Sequence, residues 1–216
     1  TNKKSIHKAD KKKSYPKFPK NITRRAGYCK IKRAMDIVLS GTALLFLSPV
    51  FLGITIAIKL DSKGPVIFRQ TRIGIHKRHF EIYKFRTMYA DTPKDMPTHL
   101  LKNPDAMVTK TGAFLRKYSL DELPQLFNIL RGDMSIVGPR PALWNQDDLV
   151  AEREKYGAND VMPGLTGWAQ INGRDELEIP VKAKLDGEYV RRFGLWMDVR
   201  CIIGTVTAVV WHKGVV

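Results

Sequence analysis

The residues Ile37 to Ile58, IVLSGTALLFLSPVFLGITIAI, form a run of 22 without a charge, and Ser48-Pro49 lies at its centre. The run is long enough to cross a bilayer as one helix. The proline opposes a straight one, because it removes a backbone donor and crowds the preceding turn. Both flanks are basic: Lys30, Lys32 and Arg33 come before, Lys59 and Lys63 after. The tendency of Lys and Arg to stay on the cytoplasmic side therefore places neither end outside. The economical solution is a re-entrant membrane helix over residues 31–61. It enters from the cytoplasmic face, breaks at Ser48-Pro49 and returns, each arm about 18 Å long at about 1.5 Å per residue. A kinked spanning helix is the alternative. A cleaved signal peptide does not fit, since the run is too long and no small-residue cleavage site follows it.

The net charge of +16 resembles a nucleic-acid signal until it is divided along the chain. Residues 1–33 hold thirteen Lys and Arg against Asp10 alone, a surplus of +12, and the other 183 residues carry +4. The basicity is a tail, residues 1–30, whose composition predicts disorder or a surface-bound segment. No zinc finger, helix-turn-helix or RNA-binding motif accompanies it, so no nucleic-acid partner is expected. A polybasic run directly before an apolar segment suits anionic lipid of the cytoplasmic leaflet, at about 1 kcal/mol per basic residue. A plain linker is the alternative. Cys29 and Cys201 are too few and too far apart for a disulfide framework, as expected of a reducing, cytoplasmic domain.

Residues Ser119 to Pro141, SLDELPQLFNILRGDMSIVGPRP, place the carboxylates Asp121 and Glu122 ahead of a short amphipathic helix. Leu123, Leu126, Phe127 and Leu130 predict its apolar face, and Gly132 its stop. A capping box, Ser119-x-x-Glu122, accounts for the acids structurally. Pro124 opposes it, as the fifth residue of a helix capped at Ser119, but sits easily in the first turn of a helix starting between Asp121 and Leu123. Capping and chemistry remain open on local grounds. Gly138-Pro139-Arg140-Pro141 then holds one guanidinium between two prolines, a stiff fork suited to phosphate.

Elsewhere, VIFRQ and HFEIYKF predict a short β-hairpin around Arg72-Ile-Gly74, with His76 and His79 in its exposed turn rather than in a zinc site. Lys84 and Arg86 share one strand face, which is also what a solvated face would look like. Residues 91–106 read as an irregular loop, and Thr111 as the cap of a helix GAFLRKY. Pro163 to Arg174, PGLTGWAQINGR, is glycine-rich without being a Walker loop. It is either a backbone able to approach a ligand, with Trp168, Gln170, Asn172 and Arg174 at hand, or a structural turn. VKAKLDGEYVRRF and LWMDVRCIIGTVTAVVWHKG predict two final helices. The second, with Trp168, Trp196 and Trp211, is an interfacial face or an ordinary core.

Taken together, SLDELPQLFNILRGDMSIVGPRP, FRQTRIG, IYKFRTM and PGLTGWAQINGR closely resemble the bacterial sugar transferases, the monotopic phosphoglycosyl transferases. The resemblance runs from about Lys32 to the end. It implies transfer of a sugar-1-phosphate from a UDP-sugar to polyprenyl phosphate, with UMP released, at the bacterial cytoplasmic membrane. It implies Asp121 as nucleophile and ligand of a Mg²⁺, and Glu122 as its helper in orientation or proton transfer. Lys84, Arg116 and Arg140 match phosphate-neutralising positions; Gln170, Arg174 and Asp186 belong to further substrate-side motifs. The expected fold is α+β and mainly helical: a re-entrant helix broken at Ser48 and Pro49 with interfacial helices around a small cytoplasmic catalytic domain, residues 62–216, that carries a short β-hairpin. A membrane-bound module that binds a nucleotide sugar without turnover is the alternative.

Overall fold

The computed structural model describes residues 26–93, 104–173 and 177–210. The basic tail up to residue 25, Arg174 and Trp211 lie outside them. The described residues are mainly helical, with two sheets of two strands each.

Helix α1, Ala26–Phe46, reaches back into the stretch whose composition assigned it to the tail, and α2, Ser48–Asp61, follows after Leu47 at a bend of 61°. Among the described residues no single helix is long and apolar enough to cross a membrane, although the bent pair passes that test together. The break falls at Ser48-Pro49. Proline occupies the first turn of α2, where its missing N–H matters least. The carbonyl it would have served, that of Leu45, accepts instead from Ser48 Oγ at 2.8 Å. Serine thus satisfies the acceptor that proline orphans.

Both outer ends of the pair are fastened to the globular body. In α1, Lys32 Nζ lies 2.5 Å from Asp198 Oδ2, and Arg33 donates to the carbonyls of Ile129 and Leu130 at 2.5 and 2.7 Å. Asp36 Oδ1 accepts from the Ile136 N–H at 3.0 Å. In α2, Ile54 and Ile58 are buried with Phe85 and Leu115, and Asp61 accepts from the Thr111 N–H at 2.8 Å. Each such aliphatic or aromatic side chain withdrawn from water contributes roughly 1.5–3 kcal/mol. Around the bend Leu45 and Phe46 are 72% and 76% exposed and Leu52 is 63% exposed, while Leu47 itself packs with Ala43 and Leu44 against the buried cluster of Ile82, Leu126, Ile129 and Met134.

Strands β1, Ile67–Ile73, and β2, His79–Phe85, form the expected antiparallel hairpin, with Ile67 opposite Phe85 and Ile73 opposite His79. Helix α3, Lys110–Lys117, is capped by Thr109, whose hydroxyl accepts from Gly112 N; Thr111 is already in the helix and its N–H is taken by Asp61. A 3₁₀ turn, Leu120–Glu122, precedes α4, Gln125–Arg131. The buried face of α4 differs from the leucine stripe in the sequence. Asn128 is fully buried and Phe127 is 47% exposed. Asn128 acts as a strand neighbour for the free edge of β2, donating to Glu81 O at 2.7 Å and accepting from Tyr83 N at 3.0 Å. Two satisfied backbone groups outweigh burial of the phenyl ring.

Strand β3, Ser135–Val137, pairs in parallel with β4, Gly164–Thr166. Around this pair stand α5, Asp147–Glu154, the single turn α6, Trp168–Ile171, α7, Ile179–Arg191, and α8, Leu195–Val210. Val137, Tyr189, Val190, Phe193, Met197 and Cys201 form their core. Tyr28 and Tyr189 both donate to Asp198, at 2.6 and 2.9 Å, which completes the shell of the carboxylate that Lys32 neutralises. A buried ion pair is tolerable on those terms. Trp168, one of the aromatics read as either interfacial or core, packs against this core and donates to Glu188 Oε2 at 3.1 Å.

Candidate active site

The carboxylate pair is held by a strained approach. Ser119 adopts the left-handed region, φ 54° and ψ 23°, and its hydroxyl caps nothing. Such a conformation is uncommon for a residue with a side chain. It turns the chain out of α3 so that Leu120–Glu122 coil into the 3₁₀ turn ahead of Pro124, which is the N-cap of α4. The capping box therefore does not form. Glu122 points away from the turn's backbone and toward two cations.

Lys84 on β2 donates to Glu122 Oε1 at 2.7 Å, and Arg140 donates to the same oxygen at 2.8 Å. The Lys84 ammonium also stands 3.8 Å from Asp121 Oδ2. All three side chains of the Lys84, Asp121 and Glu122 group are largely buried, at 13–17% exposure. Burial opposes the charge of Glu122, but Arg140 and Lys84 outweigh it and hold the carboxyl well below the usual range. Asp121 goes the other way. Burial pushes its carboxyl up and the Glu122 charge adds to that, with Lys84, Arg116 and Arg140 compensating only in part. Two adjacent carboxylates are thus separated in acidity by their surroundings, the pattern that distinguishes a fixed anion from a reactive one.

Arg116, on the last turn of α3, donates through Nε to Thr87 Oγ1 at 2.9 Å and is near enough to favour the ionised Asp121. Arg86, on the strand face of Lys84, is not part of the site. It is buried and donates to the carbonyls of Ser62 and Lys63 beyond the end of α2.

Arg140 owes its position to the backbone around it. Gly138 N donates to Thr166 O at 2.8 Å and Gly164 N to Pro139 O at 2.9 Å. A Cβ on Gly138 would lie 2.2 Å from Met162 O, and one on Gly164 would lie 2.1 Å from Gly138 N. These glycines let one backbone approach another, so this part of the glycine-rich stretch is a structural clamp on the Gly-Pro-Arg-Pro turn. Arg72 adds to it, donating to Pro141 O at 3.1 Å while its Nε and Nη2 engage Gln70 Oε1. Its holding role was not readable, because 69 residues separate it from its partner.

Gln170 donates to Leu165 O at 2.9 Å, and its Oε1 is buried without a hydrogen-bond partner among the described residues. Asp186 is not brought to the carboxylate pair by any of these contacts. It is buried between α7 and α5, with Arg153 Nη2 2.6 Å from its Oδ2. Arg174 lies outside the described residues.

As a metal site the pair is lean. Among the described residues no group of three His, Cys, Asp or Glu could hold an ion, and Glu122 is committed to two cations. Asp121 alone fits a Mg²⁺ of the kind that takes one or two carboxylates and completes its oxygen shell from substrate phosphates and water.

Ile67, Tyr83, Pro124, Phe127 and Leu130, with Arg69 and Arg131, line a largely apolar cleft of about 440 Å³. Its Phe127 ring meets Phe51 of α2 edge-on, with centroids 6.0 Å apart.

Residues 27–212 match the family described as bacterial sugar transferase. The UDP-glucose:undecaprenyl-phosphate glucose-1-phosphate transferase of Escherichia coli strain K12 is 45% identical over 189 residues, which is 82% of this chain and 39% of that protein. The undecaprenyl-phosphate glucose phosphotransferase of Komagataeibacter xylinus is 42% identical over 192 residues, 84% of this chain and 36% of that one. The chain thus spans well under half the length of these two relatives. An exopolysaccharide production protein of Rhizobium leguminosarum bv. phaseoli, 41% identical over 190 residues, is instead covered over 94% of its length.

Proposed function

The chain belongs to the bacterial sugar transferase family, and we propose that it moves a sugar-1-phosphate from a UDP-sugar onto polyprenyl phosphate at the cytoplasmic face of a membrane, releasing UMP. The observation that carries this is the seating of Asp121 and Glu122 in one cationic pocket, with Lys84 Nζ 3.8 Å from Asp121 Oδ2 and 2.7 Å from Glu122 Oε1 and Arg140 2.8 Å from the same Glu122 oxygen. Asp121, poorly solvated, is the nucleophile. One of its oxygens attacks the phosphorus that bears the sugar, the bond from that phosphorus to the oxygen of UMP breaks, and UMP leaves as an anion. An oxygen of polyprenyl phosphate then attacks the same phosphorus and the Asp121 carboxylate departs, giving the polyprenyl-diphosphate sugar.

Glu122 stays ionised throughout and serves as an anchor for Lys84 and Arg140 rather than as a proton donor. With Arg116, those two cations face the phosphoryl oxygens on which charge develops. A Mg²⁺ held by Asp121 and the diphosphate would add charge neutralisation to the leaving group.

The membrane setting is supported by the exposed apolar side chains of Leu45, Phe46 and Leu52 around the bend of a helix pair whose two outer ends are both fastened to one body. Two ends held by one body favour a re-entrant pair over a span. The largely apolar cleft that Pro124 and Phe127 line, where the Phe127 ring meets Phe51 of α2, suits part of an isoprenoid chain. Transfer is tested by UMP release from a panel of UDP-sugars with and without undecaprenyl phosphate. Turnover that requires the lipid supports it; tight UDP-sugar binding with no UMP would favour a non-catalytic binding module.

A further inference from the structure

The 3₁₀ turn that carries Asp121 packs against both α3 and β2, and Arg116 stands on the last turn of α3. The Arg116 backbone closes the approach to that turn, since Ser119 N donates to Arg116 O at 3.0 Å. Its side chain poses a separate problem. A long flexible stem carries a planar fork of donors, and only an oriented fork matches two phosphoryl oxygens at once. The structure supplies an orienting group in Thr87.

Thr87, two residues past the end of β2, is built as a fixed acceptor and is 8% exposed. Its carbonyl accepts at 3.0 Å from the N–H of Thr109, the cap of α3. The residue before it, Arg86, donates its N–H to Val66 O at 2.8 Å and its guanidinium to the carbonyls of Ser62 and Lys63. Helix α3 lies directly on this backbone at Gly112, where a Cβ would fall 2.0 Å from Thr87 O. Gly112 and Arg116 are four residues apart and so share one face of the helix. The side chain missing at Gly112 lets α3 close on Thr87, and one turn later the Arg116 Nε donates to Thr87 Oγ1 at 2.9 Å. With Nε engaged by an immobile acceptor, the plane of the guanidinium is set before any phosphate arrives, which lowers the ordering cost of each contact the fork then makes.

We propose that Thr87 is a positioning residue for the transfer: its hydroxyl orients the Arg116 guanidinium toward the phosphoryl oxygens at Asp121, and Gly112 makes that contact possible. The inference rests on the transfer chemistry proposed above.

The test is a double-mutant cycle on the full chain in detergent, read as kcat/KM for UMP release from the UDP-sugar the parent turns over fastest. Thr87→Val keeps the branched shape, removes the acceptor and should lower kcat/KM about tenfold, the worth of one hydrogen bond to a charged group. Thr87→Ser keeps the hydroxyl and should recover most of that loss. In an Arg116→Lys background, which retains the charge but has no Nε donor, Thr87→Val should cost less than about twofold, because two partners in one contact do not add. A purely structural role for Thr87 would cost the same in both backgrounds. An equal loss in both, no loss in either, or no recovery with serine would overturn the assignment. If the parent releases no UMP, the transfer reading falls, and the same cycle is read as UDP affinity by calorimetry: non-additive weakening there upholds the positioning role, and additive weakening or none removes it.

Discussion

Arg140 donates to Glu122 across 2.8 Å, so the guanidinium held between two prolines rests on a carboxylate one residue away from the proposed nucleophile. The two carboxyls therefore respond oppositely to substitution. Glu122, held low, contributes stability that is present above its ordinary value of about 4.3 and is lost as pH falls through its folded value. Asp121, pushed up, costs stability once pH rises above about 3.9, fully so above its folded value. At neutral pH, Glu122→Gln should lose about 1–3 kcal/mol, whereas Asp121→Asn should be as stable as the parent or more so. Both differences should shrink in thermal unfolding below about pH 4. UMP release should fall as pH drops through the raised Asp121 value, since the nucleophile must be ionised.

Gly138 and Gly164 meet backbone to backbone. Gly164→Ala would put a Cβ 2.1 Å from Gly138 N, with no flexible side chain to yield. A loss of about 3 kcal/mol or more is expected, seen as a fall in thermal midpoint together with loss of UMP release. Gly27→Ala, where nothing lies within 4 Å, should leave both unchanged.

Lys32 fastens α1 to α8 through Asp198, which is 5% exposed at its side chain. Lys32→Met leaves that carboxylate with two tyrosine donors and no cation, and should cost about 3–5 kcal/mol. Thermal unfolding in detergent measures it. A loss below 1 kcal/mol would mean that α1 is held chiefly by Arg33 and Asp36.

What was legible in the sequence was what depends on neighbours along the chain. Ser48-Pro49 announced the break, and the alternation of HFEIYKF announced β2. Pro124 set the carboxylate pair against a capping box, although capping and chemistry stayed open on local grounds. What was not legible depends on partners far away. Asn128 sits in a run that reads as apolar helix, and only the free edge of β2 explains why an amide is buried there. The glycines of PGLTGW suit a ligand or a second backbone equally well until β3 and β4 are paired. The cation partners of Glu122 lie on separate elements, and no spacing between Lys84, Glu122 and Arg140 reports that they meet.

The bend at Leu47 should keep both ends of the helix pair on one side. Cysteines introduced at Lys30 and at Ser62 should both be shielded from an impermeant thiol reagent in whole cells and both labelled after permeabilisation. Pro49→Leu should straighten the pair and expose one of them. Ser48→Ala should weaken the pair by about 1 kcal/mol through the orphaned Leu45 carbonyl.

The account's central claim is that Asp121 carries the phosphosugar between donor and acceptor. The direct measurement is UMP release on incubation with a UDP-sugar and Mg²⁺ in the absence of polyprenyl phosphate, followed by mass spectrometry of the peptide holding Asp121. The predicted result is a burst of UMP approaching one equivalent and a sugar-phosphate adduct on that residue, abolished in Asp121→Asn and slowed in Glu122→Gln. No UMP without the acceptor, with initial-rate lines that intersect instead of running parallel, would contradict it and require donor and acceptor to react directly in one complex.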